Sequence, residues 1–487
     1  DHRDLHSFPT RRSSDLDAMA RVQSGQSLAL ALVLLAAVAA GLVQSFNGGQ
    51  LLREKVRLSS ALDAAAYSGA LVQARGLNFL AYTNRALVAH QIAMAHAVTL
   101  ASWAKFGDAQ ARQLARANPP ASLIGGLFGP SHGQAYRSAA AAAGAGTHAA
   151  WPDGALARAF AEHDRIVHDV LVRAQATVQK TLAASRMQAM REVFAAHFPG
   201  AEAELDSSLL ADTLPGFVVR YGGQARGRLK GMVEDAASRH GFLAPRNATR
   251  RALLPSEWRC PWLQHELRRR GATSLLDLGV WRSVDTESFH ALRSNRWIGC
   301  YYREYPMGWG AAKGDPQQPD DDLPHVEDPP ADFADEDFWR WVRRHTNWDL
   351  LDGDANPLAN SHAMSESVAW PGRGLPSFAE IAQAGRPEDG EVALRFAVRA
   401  VKPAATMATT DGKGPRAGAG RLWFGTQFPG NAMAAVAAAE TYFRRPHPRS
   451  DRREERPSLF MPYWQARLSL VDPPERAKAW HRQGAGK

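Results

Sequence analysis

Cys260 and Cys300 stand forty positions apart in a segment rich in Trp, Tyr and Arg. In an exported chain their natural chemistry is a disulfide, and closing a loop of that size stabilises a fold by roughly 3–4 kcal/mol. The alternative is two separate buried thiols. His90 and His96 are six apart, and His163 and His168 are five apart. Neither pair has the i, i+4 spacing that sets two ligands on one helical face, so solvated or hydrogen-bonded imidazoles are expected rather than a metal site. Asp320, Asp321 and Asp322 lack the surrounding pattern of a calcium loop and read as a solvated acidic run. Gly412-Lys413-Gly414 lacks the spacing and the following hydroxyl of a phosphate cradle, and no G-x-S-x-G elbow occurs. The clusters at Arg268–Arg270 and Arg444–Arg456 read as solvated loops or as contacts for anionic lipid, more economically than as a nucleic-acid surface. No catalytic residue, cofactor, metal or small-molecule substrate is expected.

Composition sets the bounds within which those residues act. The chain has 487 residues, 45% hydrophobic and 22% charged, which excludes wholesale disorder. Two cysteines exclude a disulfide scaffold. The formal charge of +9 and the pI near 9.7 allow an anionic partner without naming one. Residues 1–16 read as the translation of a sequencing adapter, with Met19 as the expected native start.

No charged residue occurs from Val22 to Leu52, and Leu28–Val43 holds only Leu, Ala, Val and Gly. A helix over residues 27–46 spans about 30 Å, the thickness of the hydrocarbon core. A retained anchor is the main reading. A signal peptide cleaved near Ala37-Val38-Ala39 and a buried soluble helix are the alternatives. Arg53, Lys55 and Arg57 follow the span while only Arg21 precedes it, which by charge alone favours a cytoplasmic C-terminal side. Long domains translocate largely regardless of flanking charge, so the large region is expected outside, in the periplasm of a bacterial cell.

Beyond the span, Gln50–Phe106 reads as one helix with a stripe of Leu51, Leu58, Leu62, Ala65, Gly69, Val72, Gly76 and Phe79 at alternating spacings of mainly three and four. That face could pack on later helices of the same chain or on other subunits. Asn118-Pro119-Pro120 ends the helix, and residues 121–150 read as a loop or linker with at most one short helix. Further helices are expected over 154–197 and 222–240. Alternating runs at Leu275–Ser283 and Trp297–Glu304 predict antiparallel strands, and Glu391–Val401 predicts another. Residues 314–339 hold ten acids and no Lys or Arg, which predicts a loose acidic loop. Asn431–Phe443 reads as an Ala-rich helix, and the tail after Pro473 as polar and frayed.

Gly25-Gln26-Ser27 before the apolar span, and Asp63, Ala64, Ala65, Ala66, Gly69 and Ala70 after it, resemble the tight adherence (Flp pilus) assembly proteins of the TadE/TadG type. The resemblance covers the N-terminal span and the helix that follows. Leu30 stands where pilin-like members carry a Glu, and no D-x-S-x-S run is present. Neither prepilin cleavage nor a metal-binding von Willebrand A domain is therefore implied. The resemblance implies a non-enzymatic, membrane-anchored envelope protein of pilus assembly. Its partners would be membrane lipid and other pilus-assembly or envelope proteins, a second copy included. An exported binding protein or adhesin with a Trp-rich recognition region, and an exported hydrolase, are the alternatives.

The expected fold class is α+β. The expected units are 17–26 tail, 27–46 membrane helix, 47–106 long helix, 107–250 helical region and 251–313 Trp-rich β region. They continue with 314–345 acidic loop, 346–470 mixed α/β region and 471–487 tail.

Overall fold

The computed structural model describes residues 14–254, 257–276, 279–297, 299–315, 365–382, 392–409, 412–413 and 429–484. Residues 1–13 and most of the acidic loop, including Asp320–Asp322, lie outside the described residues.

One helix organises the molecule. α1 (Ser14–Ala115) runs unbroken for 102 residues, about 150 Å at the rise of an α-helix. It therefore continues past the expected Phe106 to Ala115, and the turn after it leads into the Pro119-Pro120 pair. Its N-terminal apolar stretch from Leu28 to Phe46 is exposed except at Ala40 and Val43, which are half-buried. From Leu58 onward it becomes the centre of the fold, and three core clusters follow one another along it. Leu58–Ala70 packs with Met190, Phe194, Phe396 and Ala437. Ala74–Leu80 packs with Leu394, Leu459 and Trp464. Leu87–Ala101 packs with Phe160, Trp281, Trp370 and Phe378.

The remaining helices lie around this spine. α2 (Ala121–Phe128) and α3 (Pro130–Ala150) occupy the stretch expected to be a linker. The glycines there serve close helix crossing rather than loop freedom. A Cβ on Gly133 would stand 2.7 Å from the Ala121 carbonyl oxygen and 2.9 Å from Gly125 Cα. α4 (Ala155–Arg165), a π turn at Ile166–Leu171 and α5 (Val172–His197) form the helical run expected over 154–197. α6 (Gly227–Ala237) is shorter than the 222–240 expected, its first turn being a 3₁₀ turn.

Two five-stranded sheets pack on α1. In the first, β1 (Glu204–Leu205) and β2 (Ala211–Asp212) pair with β10 (Ala393–Pro403), followed by β13 (Ala432–Phe443) and β14 (Trp464–Ser469), all antiparallel. The second orders β4 (Ala248–Arg251), β5 (Glu266–Leu275), β6 (Trp281–Asn295), β7 (Gly299–Lys313) and β8 (Ser365–Ala369). Only its β7–β8 pair is parallel. Among the described residues two small pairs complete the set, β3 (Val218–Tyr221) with β9 (Phe378–Ile381) and β11 (Ala408–Thr409) with β12 (Gly412–Lys413). The α+β expectation therefore stands at this coarse level.

Four expectations are corrected. Ala432–Phe443 is a strand, not a helix. Alanine's helical propensity is a weak preference that tertiary packing overrides, and here small side chains let the sheet lie against the small-residue face of α1. Met433, Ala435, Ala437 and Ala439 point into one core while Ala438 points into another, with Ala479 and Leu210. The run Leu275–Ser283 straddles a turn: Leu275 ends β5 and Trp281 begins β6, with Gly279 at φ +80° between them. The residues after Pro473 form α7 (Pro473–Arg482), whose first turn is closed by reciprocal capping between Asp472 and Glu475. Arg268–Arg270 lie within β5 rather than in a loop.

Candidate functional site

The apolar stretch is the first candidate. Leu28, Val33, Leu35 and Leu42 each expose about two thirds of their surface, and no residue of the most apolar window of the helix is buried. A helix of this length and composition can cross a bilayer. Gly25, Gln26 and Ser27 fall within the same helix just before it.

The stripe that follows is divided between core and solvent. Leu58, Leu62, Ala65 and Gly69 are buried, Leu51, Val72 and Gly76 are half-buried, and Phe79 is 41% exposed. The expectation of one continuous packing face is corrected at Phe79. A 3.5-residue repeat drifts about 20° per heptad on a straight α-helix. Leu51 to Phe79 is four heptads, so the far end turns out of the core. Ala66, Ala70, Ala74 and Leu77 replace it there. Of the motif residues, Ala65, Ala66, Gly69 and Ala70 are buried against the chain's own α5, β10 and β13, while Asp63 and Ala64 are half-buried. Desolvation raises the Asp63 carboxyl above its ordinary range.

Buried charges tie distant segments to α1. Lys402, fully buried, donates to Glu54 Oε2 at 2.7 Å and approaches Glu202 at 3.5 Å. Arg246 donates to both oxygens of buried Asp285 at 2.8 and 2.9 Å, and Ser102 of α1 donates to the same carboxylate at 2.8 Å. Asn84 donates to the carbonyls of Ala379 and Leu459 and accepts from Gln175. Each group satisfies its partner where solvent cannot, which is what a buried polar group requires.

The histidines singled out by spacing are placed differently from one another. His90 and His163 meet across two helices, Nδ1 to Nδ1, at 2.8 Å. Desolvation, and then the charge of His163, lower the affinity of His90 for a proton. His168 faces the Gly374 carbonyl at 3.2 Å, and His96 lies against Phe242. Among the described residues no group of three or more His, Cys, Asp or Glu could hold a metal ion.

A cleft of about 130 Å³ opens between α1, α2, α3 and the second sheet. Tyr136, His132, Arg269, Glu287 and Gln110 supply its polar wall, and Ile124, Leu267 and Met307 the apolar one. Gln110 donates to Glu287, whose carboxyl is raised by desolvation. The buried Tyr136 hydroxyl has no protein partner, and desolvation followed by the charge of Glu287 raises its pKa. A space of this size has room for water. Ser288 Oγ and His290 Nε2 lie 2.9 Å apart, a nucleophile–base distance, but both are buried within β6.

Cys260 and Cys300 are joined as a disulfide. It ties the β4–β5 loop to the start of β7, next to the turn from β6. Around it Trp258, Trp262 and Trp297 are exposed, whereas Trp281 and Trp309 of the same region are buried in the core. Arg268 pairs with Glu266, and Arg269 lies over the Phe106 ring, so this cluster is bound into the sheet. In the second cluster Arg445 pairs with Glu455 and Arg449 with Asp451. Residue spacing carried no sign of the Lys402–Glu54 or Arg246–Asp285 pairs, whose members are 348 and 39 positions apart.

Comparison of the chain with protein-family models, with curated proteins and with solved structures finds no match in any of the three.

Proposed function

We propose that this chain is a non-enzymatic, membrane-anchored envelope protein that takes part in assembling or anchoring a tight-adherence-type pilus. The observation that carries the anchor is the exposed apolar stretch Leu28–Phe46, continuous in one helix with the spine of the folded region. The buried core begins beyond that stretch, so the helix can hold a membrane at one end and a large domain at the other. The pilus reading rests on the Gly25-Gln26-Ser27 start and the Asp63–Ala70 motif at their spacing from the span. In this reading the large region lies in the periplasm, where the Cys260–Cys300 bridge is at home. The motif's small residues serve the chain's own packing, so partners would meet other surfaces. A clean deletion of the gene should abolish or reduce surface pili and adherence, with recovery on complementation. Pili unchanged in number and length would reject the proposal.

A second reading, an exported binding protein, is favoured by the three exposed tryptophans around the bridge. Indoles dominate binding hot spots, and a partner captured through them without any effect on pili would select it.

A further inference from the structure

The tryptophan-bearing tip lies at the end of the molecule away from the apolar stretch. β6 climbs beside α1 in the direction that leads away from residues 28–46. Trp281 donates to Gln91, Asp285 accepts from Ser102, and Glu287 accepts from Gln110. Eight residues further along, Asn295 begins the turn into β7. From Asn47 to Gln110 the helix alone covers about 95 Å, and the turn lies beyond that.

This tip is cross-linked and uncommon in surface. Asn295 Oδ1 accepts from the Trp297 amide at 2.9 Å, Gly299 takes φ +80°, and the disulfide fastens the start of β7 to the β4–β5 loop. On this frame Trp258, Trp262 and Trp297 are 81%, 76% and 78% exposed, and Leu253 and Leu254 69% and 73%. Side chains this large and this exposed have almost no protein around them. Arg259 lies over the Trp258 ring at 4.9 Å and Arg296 over the Trp297 ring at 4.5 Å. Residues 250–262 and 293–299 together carry five Arg and one acid, Glu257.

We infer that this tip is a lipid-contact site that seats its indoles and leucines in the interface of an anionic bilayer, distinct from the bilayer that residues 28–46 can span. Tryptophan concentrates at the level of lipid headgroups because its ring is apolar and its N–H is polar. Guanidinium groups beside it pair with lipid phosphates, and each basic residue adds attraction to an anionic surface. A protein hot spot sits recessed within a ring of contacts that excludes water; these rings stand on a projecting turn and loop instead. The charge balance selects anionic over neutral lipid. The inference does not rest on the pilus reading, since a strain that keeps its pili after deletion leaves it untouched.

The test uses the full chain reconstituted through its apolar helix into neutral phosphatidylcholine nanodiscs. These are mixed with vesicles of equal parts phosphatidylglycerol and phosphatidylcholine, or of phosphatidylcholine alone, and floated. The nanodiscs should rise with the anionic vesicles and at least tenfold less with neutral ones. Binding should fall as salt is raised. W258S/W262S/W297S should lose binding at least tenfold, and R259Q/R296Q should weaken it and reduce its salt dependence. An intact Cys260–Cys300 bridge by mass spectrometry checks the fold of each variant. Brominated lipid in the added vesicles supplies a readout on the unmodified chain, where tryptophan emission should be quenched. Absence of that quenching, flotation equal with both vesicle types, or unchanged binding by the triple variant would overturn the inference, and a protein or glycan partner would then account for the patch.

Discussion

Lys402 is fully buried, with Glu54 of α1 meeting it at 2.7 Å and Glu202 standing at 3.5 Å. Removing one member of a buried pair leaves the other charged and unsolvated, which costs about 3–5 kcal/mol, whereas replacing both with apolar groups is often near neutral. K402M should therefore lower the thermal midpoint strongly, and E54L/K402M should recover most of the loss; a double variant as unstable as the single one would refute the pairing. The His90–His163 contact makes a prediction in pH. His90 binds its proton less tightly in the folded chain than the ordinary imidazole value of 6.5. As pH falls through that value, the unfolded chain takes up the proton first. The contribution of this site is thus full above about pH 6.5 and is lost below it. Thermal midpoints between pH 7.5 and 5.5 should fall more for the parent than for H90Q, and parallel curves would contradict this. The spacing of these histidines lacks the i, i+4 metal pattern. It could not show that His90 meets His163, because that contact depends on how α4 lies against α1.

At the scale of elements, close approach to α1 is decided by glycine. A Cβ on Gly310 of β7 would stand 2.1 Å from the Phe106 nitrogen and 2.5 Å from the Ser102 carbonyl oxygen. Backbone cannot yield to it, so G310A should reach or exceed the upper end of the about 1–3 kcal/mol that overpacking typically costs. The Cβ of G69A would meet chiefly the Met190 thioether, at 2.7 Å. That flexible side chain can move aside, and Ala gains about 1 kcal/mol in a helix, so the change should be small. Equal losses in the two variants, read from thermal midpoints, would contradict this account. The same scale shows what the sequence made legible. The apolar span, the long helix and the strand near Glu391–Val401 follow from runs and periods that a chain displays locally. β13 does not, because its alanines are chosen by the narrow space beside α1 rather than by local preference. α2 and α3 were hidden for the same reason, their glycines marking a helix crossing.

For the whole molecule, α1 joins the apolar stretch to the folded region. Its first part has the length and apolarity of a membrane span, and its second carries three successive core clusters and both sheets. The apolar stretch was plain in the sequence because length and apolarity are a matter of counting. The exposed tryptophans were not, since Trp258 and Trp281 lie in one aromatic segment and only tertiary packing separates surface from core. Anchoring with the large region outside is the central claim. It is tested most directly in spheroplasts carrying the chain started at Met19 with a C-terminal tag. The tag should sediment with membranes through a carbonate wash and be digested by protease added outside. A tag that stays in the soluble fraction, or is protected until the cells are lysed, would contradict the account.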